Sequence, residues 1–204
     1  MSGVFITGTD TGVGKTFVTL HLAEKFRRDG MDVGVMKPIS TGPDKDNDAV
    51  YLKKKLKLDD PLELINPIRL KHPLAPYPAA IIQNEKLKIK KIFSAYKELS
   101  KRHQIVIVEG IGGVAVPITK TYCVADLIHD MDLPAVVVAR AGLGTINHTL
   151  LTIGALIDSQ VEVIGIIMNG FTGKDLSEKT NAKVIEELSG VPVLEKLKWA
   201  KPSS

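Results

Sequence analysis

Short runs of apolar, β-branched residues alternate along this chain with longer stretches whose apolar positions recur every three or four residues. The runs are "GVFIT" (3–7), "DVGVMK" (32–37), "QIVIVE" (104–109), "PAVVVA" (134–139) and "VIGIIMN" (163–169), with a last short one, "VPVL" (191–194). Near-continuous hydrophobicity over so few residues predicts strands covered on both faces, as in a parallel sheet. The segments 15–29, 46–57, 85–101, 146–159 and 176–189 read as helices. In the first, Phe17, Val18, Leu20, Leu22, Ala23 and Phe26 make a broad apolar face that ends near Gly30. Strand–helix alternation predicts an α/β fold: a doubly wound, mostly parallel sheet flanked by helices, forming one domain over 1–204. In such a sheet, ligands bind at the carboxyl ends of the strands.

One segment breaks the rhythm. "DPLELINPIRLKHPLAPYPAAIIQN" (60–84) carries Pro61, Pro67, Pro73, Pro76 and Pro78. Prolines this dense remove backbone donors and predict that no regular helix forms here. Leu62, Leu64, Ile65, Ile68 and Leu70 predict that the loop is packed, and a long ordered loop in a compact domain is usually functional.

Composition narrows the classes. Of 204 residues, 44% are hydrophobic and 25% charged, as in an ordinary globular domain. The single cysteine, Cys123, excludes an internal disulfide framework and a multi-cysteine metal site. The N-terminus lacks a basic segment before its apolar run, and no apolar stretch reaches membrane-spanning length, so a cytoplasmic location without membrane attachment is expected. The net charge of +4 is concentrated in "YLKKKLKL" (51–58) and in 86–102. In the latter the lysines fall between Leu87, Ile89, Ile92, Phe93, Tyr96 and Leu99, a pattern that predicts a solvated helix face rather than a nucleic-acid surface.

The chemistry begins at "GTDTGVGKT" (8–16), a glycine-rich turn between a predicted strand and a predicted helix. Such a turn gathers backbone N–H donors around phosphate at a helix N-terminus. Lys15 would reach the outer phosphates and the Thr16 hydroxyl would ligate Mg²⁺, giving a P-loop NTPase-like start. The spacing is unusual: five residues separate Gly8 from Gly14, where the common pattern has four. Glu109 ends a buried strand before "GIGG", where a second metal ligand is expected. "DKDNDAV" (44–50) offers Asp44, Asp46 and Asp48, one of which is expected to cap a helix and another to bind metal; periodicity does not choose. Lys37, at an otherwise apolar strand end, is a second cation for a transferred phosphate or anionic substrate. "AGLGTINHT" (141–149) leads into a further helix start, an anion site in waiting. Asn169 ends a strand, where its amide can read a nucleobase edge. The five histidines show no metal-ligand spacing.

Taken in order, "TGTDTGVGKT", "MKPIST", "DNDA", "VEGIGGVAVPI", "ADLI", "LPAVVVARAGLGTINHTLLT" and "GIIMNG" resemble the dethiobiotin synthetase family, over residues 4 to about 170. The longer loop is itself a mark of that family. The resemblance implies that 7,8-diaminononanoate, CO₂ (as CO₂/bicarbonate) and ATP give dethiobiotin, ADP and phosphate, with Mg²⁺. It implies that Lys15 and Lys37 are catalytic and that Gly12, Val13, Gly14, Lys15, Thr16 and Phe17 hold the nucleotide's phosphates. Thr16, Asp48 and Glu109 would hold the metal. Thr11, Thr41, Gly112 and Gly113 would meet the substrate, and Asn169 the adenine. A homodimer is implied, with Gly144, Thr145, Ile146 and Asn147 of one subunit taking the substrate's carboxylate in the other's site. The sequence departs from the family in three places: Gly12 where some members have Glu, Tyr77 in "APYP" where many have Pro-His, and a short C-terminus in which Lys198 and Trp199 would close the base site.

Other readings predict features the sequence lacks. Partition and septum-placement ATPases carry an additional lysine early in the loop, absent from "GTDTGVG". Amide-forming ligases related to cobyrinate amidation add a glutaminase domain, for which 204 residues leave no room.

Overall fold

The computed structural model describes residues 3–198, the side chain of Asp46 excepted. In chain order the strands are β1 (Gly3–Gly8), β2 (Val33–Met36), β3 (Ile39–Thr41), β4 (Ile68–Leu70), β5 (Ile105–Glu109), β6 (Pro117–Thr119), β7 (Tyr122–Cys123), β8 (Ala135–Arg140), β9 (Val163–Phe171) and β10 (Val193–Lys198). The helices are α1 (Lys15–Arg28), α2 (Asp48–Leu56), α3 (Leu62–Ile65), α4 (Pro76–Gln83), α5 (Lys90–Arg102), α6 (Val124–Asp130), α7 (Thr145–Asp158) and α8 (Asn181–Ser189). Six strands pair in parallel in the order β10-β9-β8-β1-β5-β2. The short pairs β3–β4 and β6–β7 lie apart from that sheet.

Side-chain alternation assigns each strand residue to one of two cores. Val4, Ile6, Ile107, Val136 and Val138 pack with Val18 and Ala23 of α1 and Leu52 of α2. Phe5, Val106, Val108, Val137 and Ala139 face the other way, onto Ile92 and Leu99 of α5, Ile128 of α6, Leu156 of α7 and Ile185 of α8. Fully burying one such side chain is worth about 1.5–3 kcal/mol, so both faces must be covered, as the apolar runs predict. No helix among the described residues is long and apolar enough to cross a membrane.

The proline-rich segment corrects one expectation. It is packed, but it contains α3, β4 and the eight-residue helix α4. Pro76 and Pro78 lie in the first turn of α4, and the N–H of Ala79 bonds to the Ala75 carbonyl at 3.0 Å. Both prolines thus occupy positions whose missing donors a helix start does not use. A second correction concerns the start of α2: its cap is Asn47, whose side chain accepts from the Ala49 N–H at 2.8 Å, not one of the aspartates. The lysine-rich helix begins later than its periodicity predicts, at Lys90, and buries Ile92, Tyr96 and Leu99 with its lysines outward.

His103 ties three segments together at the opposite end of β5 from Glu109. Its Nδ1 lies 2.9 Å from Asp32 Oδ1 and its Nε2 2.8 Å from Asp60 Oδ2. A Cβ on Gly34 would come within 2.4 Å of the ring, so glycine in β2 makes the room. Burial opposes the charge on His103, but the hydrogen bonds and charges of Asp32 and Asp60 outweigh it and raise its pKa. A raised folded-state pKa stabilises fully below the unfolded value of about 6.5 and loses that contribution as pH rises through the folded value. His103→Gln should therefore lower the thermal midpoint most below pH about 6.5, with the gap to wild type narrowing at alkaline pH. Equal gaps in melting curves at acid and alkaline pH would rule this coupling out.

Candidate active site

The site is assembled at the carboxyl ends of β1, β2 and β5. Gly14 caps α1 with φ 96°, in the left-handed region that favours glycine. A Cβ there would also fall 2.1 Å from the Asn169 amide nitrogen. That amide donates to the Val13 carbonyl at 3.0 Å, so the end of β9 buttresses the loop. Lys15 folds back, its Nζ donating to the Asp10 carbonyl at 2.9 Å. Burial, and secondarily repulsion from Lys37, lower the Lys15 pKa to about 8.

Register brings the second cation to its partner. Met36 pairs with Val108 and Ile6 with Glu109, so Lys37, the next residue after β2, lies beside Glu109. Lys37 is 3% exposed and Glu109 0%. The Lys37 Nζ donates to Glu109 Oε1 at 2.6 Å and to the Gly110 carbonyl at 3.0 Å, and it reaches Asp48 Oδ2 at 2.8 Å. Burial pulls the Lys37 pKa down, but Glu109 and Asp48 outweigh it and leave it raised. Burial likewise raises the Asp48 pKa, and Lys37 more than reverses this.

Thr16 completes the cluster, its Oγ1 donating to Glu109 Oε1 at 2.8 Å. Glu109 Oε2 is buried without a hydrogen-bond partner. A buried carboxylate oxygen left unpaired costs free energy unless something occupies it. One hydroxyl and two carboxylates are hard oxygen donors, and they fit Mg²⁺. Among the described residues no three His, Cys, Asp or Glu side chains could hold a metal on their own. The Thr16 hydroxyl accounts for the third donor of this set.

A cavity of about 570 Å³ opens over the cluster. Of the residues expected at the site, it brings together Thr11, Gly12, Gly14, Lys15, Thr16, Lys37, Thr41, Asp48, Glu109 and Gly112. Thr11 and Gly12 also line a second pocket, of about 410 Å³, with Val13 and Asn169. The Oδ1 of Asn169 is buried there without a partner. Gly113 lines a neighbouring groove with Thr9 and His148. Phe17 packs into the core under α1 and does not line the cavity. Gly144–Asn147 stand away from the cavity, at the start of α7. Lys198 is exposed at the end of β10, paired with Phe171, and Trp199 lies outside the described residues.

Ser40, Asn47, Pro73, Leu74, Ala75, Ile111 and Val116 also line the cavity and were not singled out by sequence. Ser40 lies inside "MKPIST", and Pro73–Ala75 fall in the proline-rich segment. That segment's density of prolines was the available signal. Tyr77 is half-buried on α4, and the wall is made by the three residues before that helix.

The AAA domain family model matches residues 2–204. The ATP-dependent dethiobiotin synthetase BioD of Aquifex aeolicus is 45% identical over 188 residues, 92% of this chain and 85% of its own. That of Methanocaldococcus jannaschii is 44% identical over 199 residues, 94% and 91% of the two chains. Among solved structures, a ParA family ATPase from Chlorobium tepidum superposes with a TM-score of 0.61 at 14% identity, covering 98% of this chain and 84% of that one. The MinD cell division protein of Aquifex aeolicus gives 0.60 at 16%, covering 99% and 84%. At those identities the two structures share the fold alone, that of P-loop NTPases. Sequence likeness across almost the whole length, together with the longer glycine loop, decides the family: the chain belongs to the ATP-dependent dethiobiotin synthetases.

Proposed function

We propose that this chain converts 7,8-diaminononanoate, CO₂ and ATP to dethiobiotin, ADP and phosphate. The observation that carries this reading is Lys37, buried and paired with Glu109 and Asp48 across from Lys15 in one cavity. One amine of the substrate adds to CO₂ and, losing a proton, becomes a carbamate. A carbamate oxygen attacks the γ-phosphorus of ATP, and ADP leaves. The second amine then attacks the carbonyl carbon of the mixed anhydride, expels phosphate and closes the cyclic urea. Such chemistry requires positioning and charge stabilisation more than covalent help from the protein.

The residues divide that work. Backbone N–H groups of 12–17 cradle the phosphates, and a triphosphate supplies the negative charge that Lys15, with its lowered pKa, lacks. Lys15 and Lys37 flank the carbamate and the transferred phosphoryl group. Thr16, Asp48 and Glu109 would hold Mg²⁺, which neutralises phosphate charge when bound. Thr11, Thr41 and Gly112, which line the cavity, would meet the substrate, with Gly113 in the neighbouring groove. The unpaired Oδ1 of Asn169 suits an exocyclic amine such as that of adenine.

The chain works as a homodimer, as one domain per subunit, in the cytoplasm. Exposed apolar side chains support the dimer: Leu143, two residues before α7, is 88% exposed, and Leu151 and Ile157 on α7 are 66% and 59%. A patch of this kind normally marks an interface. The helix start at Gly144–Asn147 lies on that element, as a site completed by the partner subunit requires. Cys123 is a free thiol, in keeping with a reducing compartment.

Purified protein given ATP, Mg²⁺, bicarbonate and the diamine should yield a product of dethiobiotin's mass, with phosphate release dependent on the diamine. Diamine-independent release with no cyclic urea would sink the reading. Lys37→Met should abolish turnover, and it should also lower the unfolding free energy by about 3–5 kcal/mol, because it strands the buried Glu109 charge. Urea titration should show Mg²⁺ recovering part of that loss; a change below about 1 kcal/mol would place Glu109 in a wetter setting than described.

A further inference from the structure

We propose that Asn66 is a positioning residue for the reaction, its carboxamide fixing both the backbone that carries Lys37 and the helix start that carries Asp48. The proposal rests on the reading of Lys37 and Asp48 given above. Asn66 follows α3, is 1% exposed, and is remote in sequence from the loops it joins. Its Nδ2 donates to the Lys37 carbonyl at 2.7 Å and to the Ile68 carbonyl at 3.2 Å. Its Oδ1 accepts from Ser40 Oγ at 2.8 Å and from Asn47 Nδ2 at 3.1 Å. Two carbonyls on one side and two donors on the other fix the amide's orientation by chemistry.

The consequences converge on the active site. The Lys37 peptide is gripped from both sides, since its N–H donates to the Ile65 carbonyl at 2.7 Å and its C=O accepts from Asn66. Lys37 therefore enters the site from a backbone whose N–H and C=O are both anchored. Asn47 caps α2, and Asp48 is the first residue of that helix. The bond from Asn47 to Asn66, reinforced by one from Asn47 Nδ2 to Ser40 Oγ at 3.1 Å, pins the helix start to the same amide. Glu109 is held independently, on a central strand of the sheet. Asn66 thus sets where the two movable partners, Lys37 and Asp48, sit relative to the fixed one.

The backbone of the glycine-rich loop is anchored outside this hub, which it meets through the Thr16 side chain beside Asp48. Its anchors run to the Val138 carbonyl from Thr9, to the Asp10 carbonyl from Lys15, and to the Val13 carbonyl from Asn169. A residue that merely held the fold would weaken nucleotide binding and chemistry together. A positioning residue separates them, because a displacement near 1 Å at the reacting groups can lower the rate about 100-fold.

The test is Asn66→Asp, which keeps the size and the acceptor but loses both donors to the carbonyls. We expect the folded variant to bind a fluorescent ATP analogue within about twofold of wild type while its kcat for dethiobiotin falls about 30- to 100-fold. Hydrogen–deuterium exchange should quicken about tenfold or more over Lys37–Ala49 and stay unchanged over Gly8–Thr16. Ser40→Ala, which removes one of the donors to Asn66, should lower kcat about 3- to 10-fold with nucleotide binding intact, and it serves where the aspartate variant does not fold. A kcat within about twofold of wild type in these variants overturns the proposal, as does parallel loss of exchange protection in both segments. Wild type that forms no dethiobiotin defeats the functional reading instead; the exchange contrast between the two segments still decides the role of Asn66.

Discussion

Lys37 and Glu109 are buried as a charged pair where two neighbouring parallel strands end, and the site is organised around that contact. Removing two charges from water is expensive, and a pair of apolar residues in their place would serve stability as well or better. The pair is tolerable because each charge is further satisfied: Lys37 by Asp48 and the Gly110 carbonyl, Glu109 by Thr16. Its geometry follows from the pairing of Met36 with Val108, which leaves the next residue of each strand side by side. One slip of that register would send Lys37 or Glu109 to the wrong face of the sheet. A buried cation, a buried carboxylate with one oxygen unpaired, and a threonine at the start of α1 together make a place for phosphate and a divalent ion. The stability such a cluster forgoes is what a phosphoryl-transfer site requires.

The longer glycine loop takes its meaning from the same cluster. Lys15 reaches back to the Asp10 carbonyl, and the middle of the loop, at Thr11 and Gly12, borders both the cavity over Lys37 and the pocket at Asn169. A Cβ on Gly112, at φ 59°, would fall 2.7 Å from Val116 Cγ2, so the turn after β5 that faces Thr11 calls for glycine. α7 starts from glycine-capped backbone at Gly144 and leaves Leu151 and Ile157 exposed.

How much of this the sequence announces depends on how local each cause is. The parallel strands were legible because their burial is continuous: Val106, Ile107 and Val108 are all fully buried, and nothing polar interrupts them. Gly14, Lys15, Thr16 and Glu109 were legible because strand, turn and helix signals surround them in sequence. The helix α4 was not, because two prolines in eight residues read as exclusion until it is seen that both fall in the first turn. The cap of α2 went to Asn47 because its amide nitrogen has buried partners in Ser40 and Asn66, contacts that no window of sequence contains. Pro73–Ala75 reach the cavity only through the packing of α4 against β3, β4 and β6. Asn66 carries no local signal, since three of its four bonds go to Lys37, Ser40 and Asn47, each at least nineteen residues away.

The central claim is that Lys15, Lys37 and the metal-binding oxygens hold a substrate carbamate in line with the γ-phosphorus. That claim has an isotopic signature, because the attacking oxygen comes from CO₂ and leaves with phosphate. Freshly added ¹⁸O-labelled CO₂, with unlabelled ATP in ordinary water, should place one labelled oxygen in the released phosphate, read as an isotope-shifted ³¹P resonance. Phosphate without label, formed as fast as dethiobiotin, would mean that water attacks ATP in this site, and the account of how its two lysines are used would be wrong.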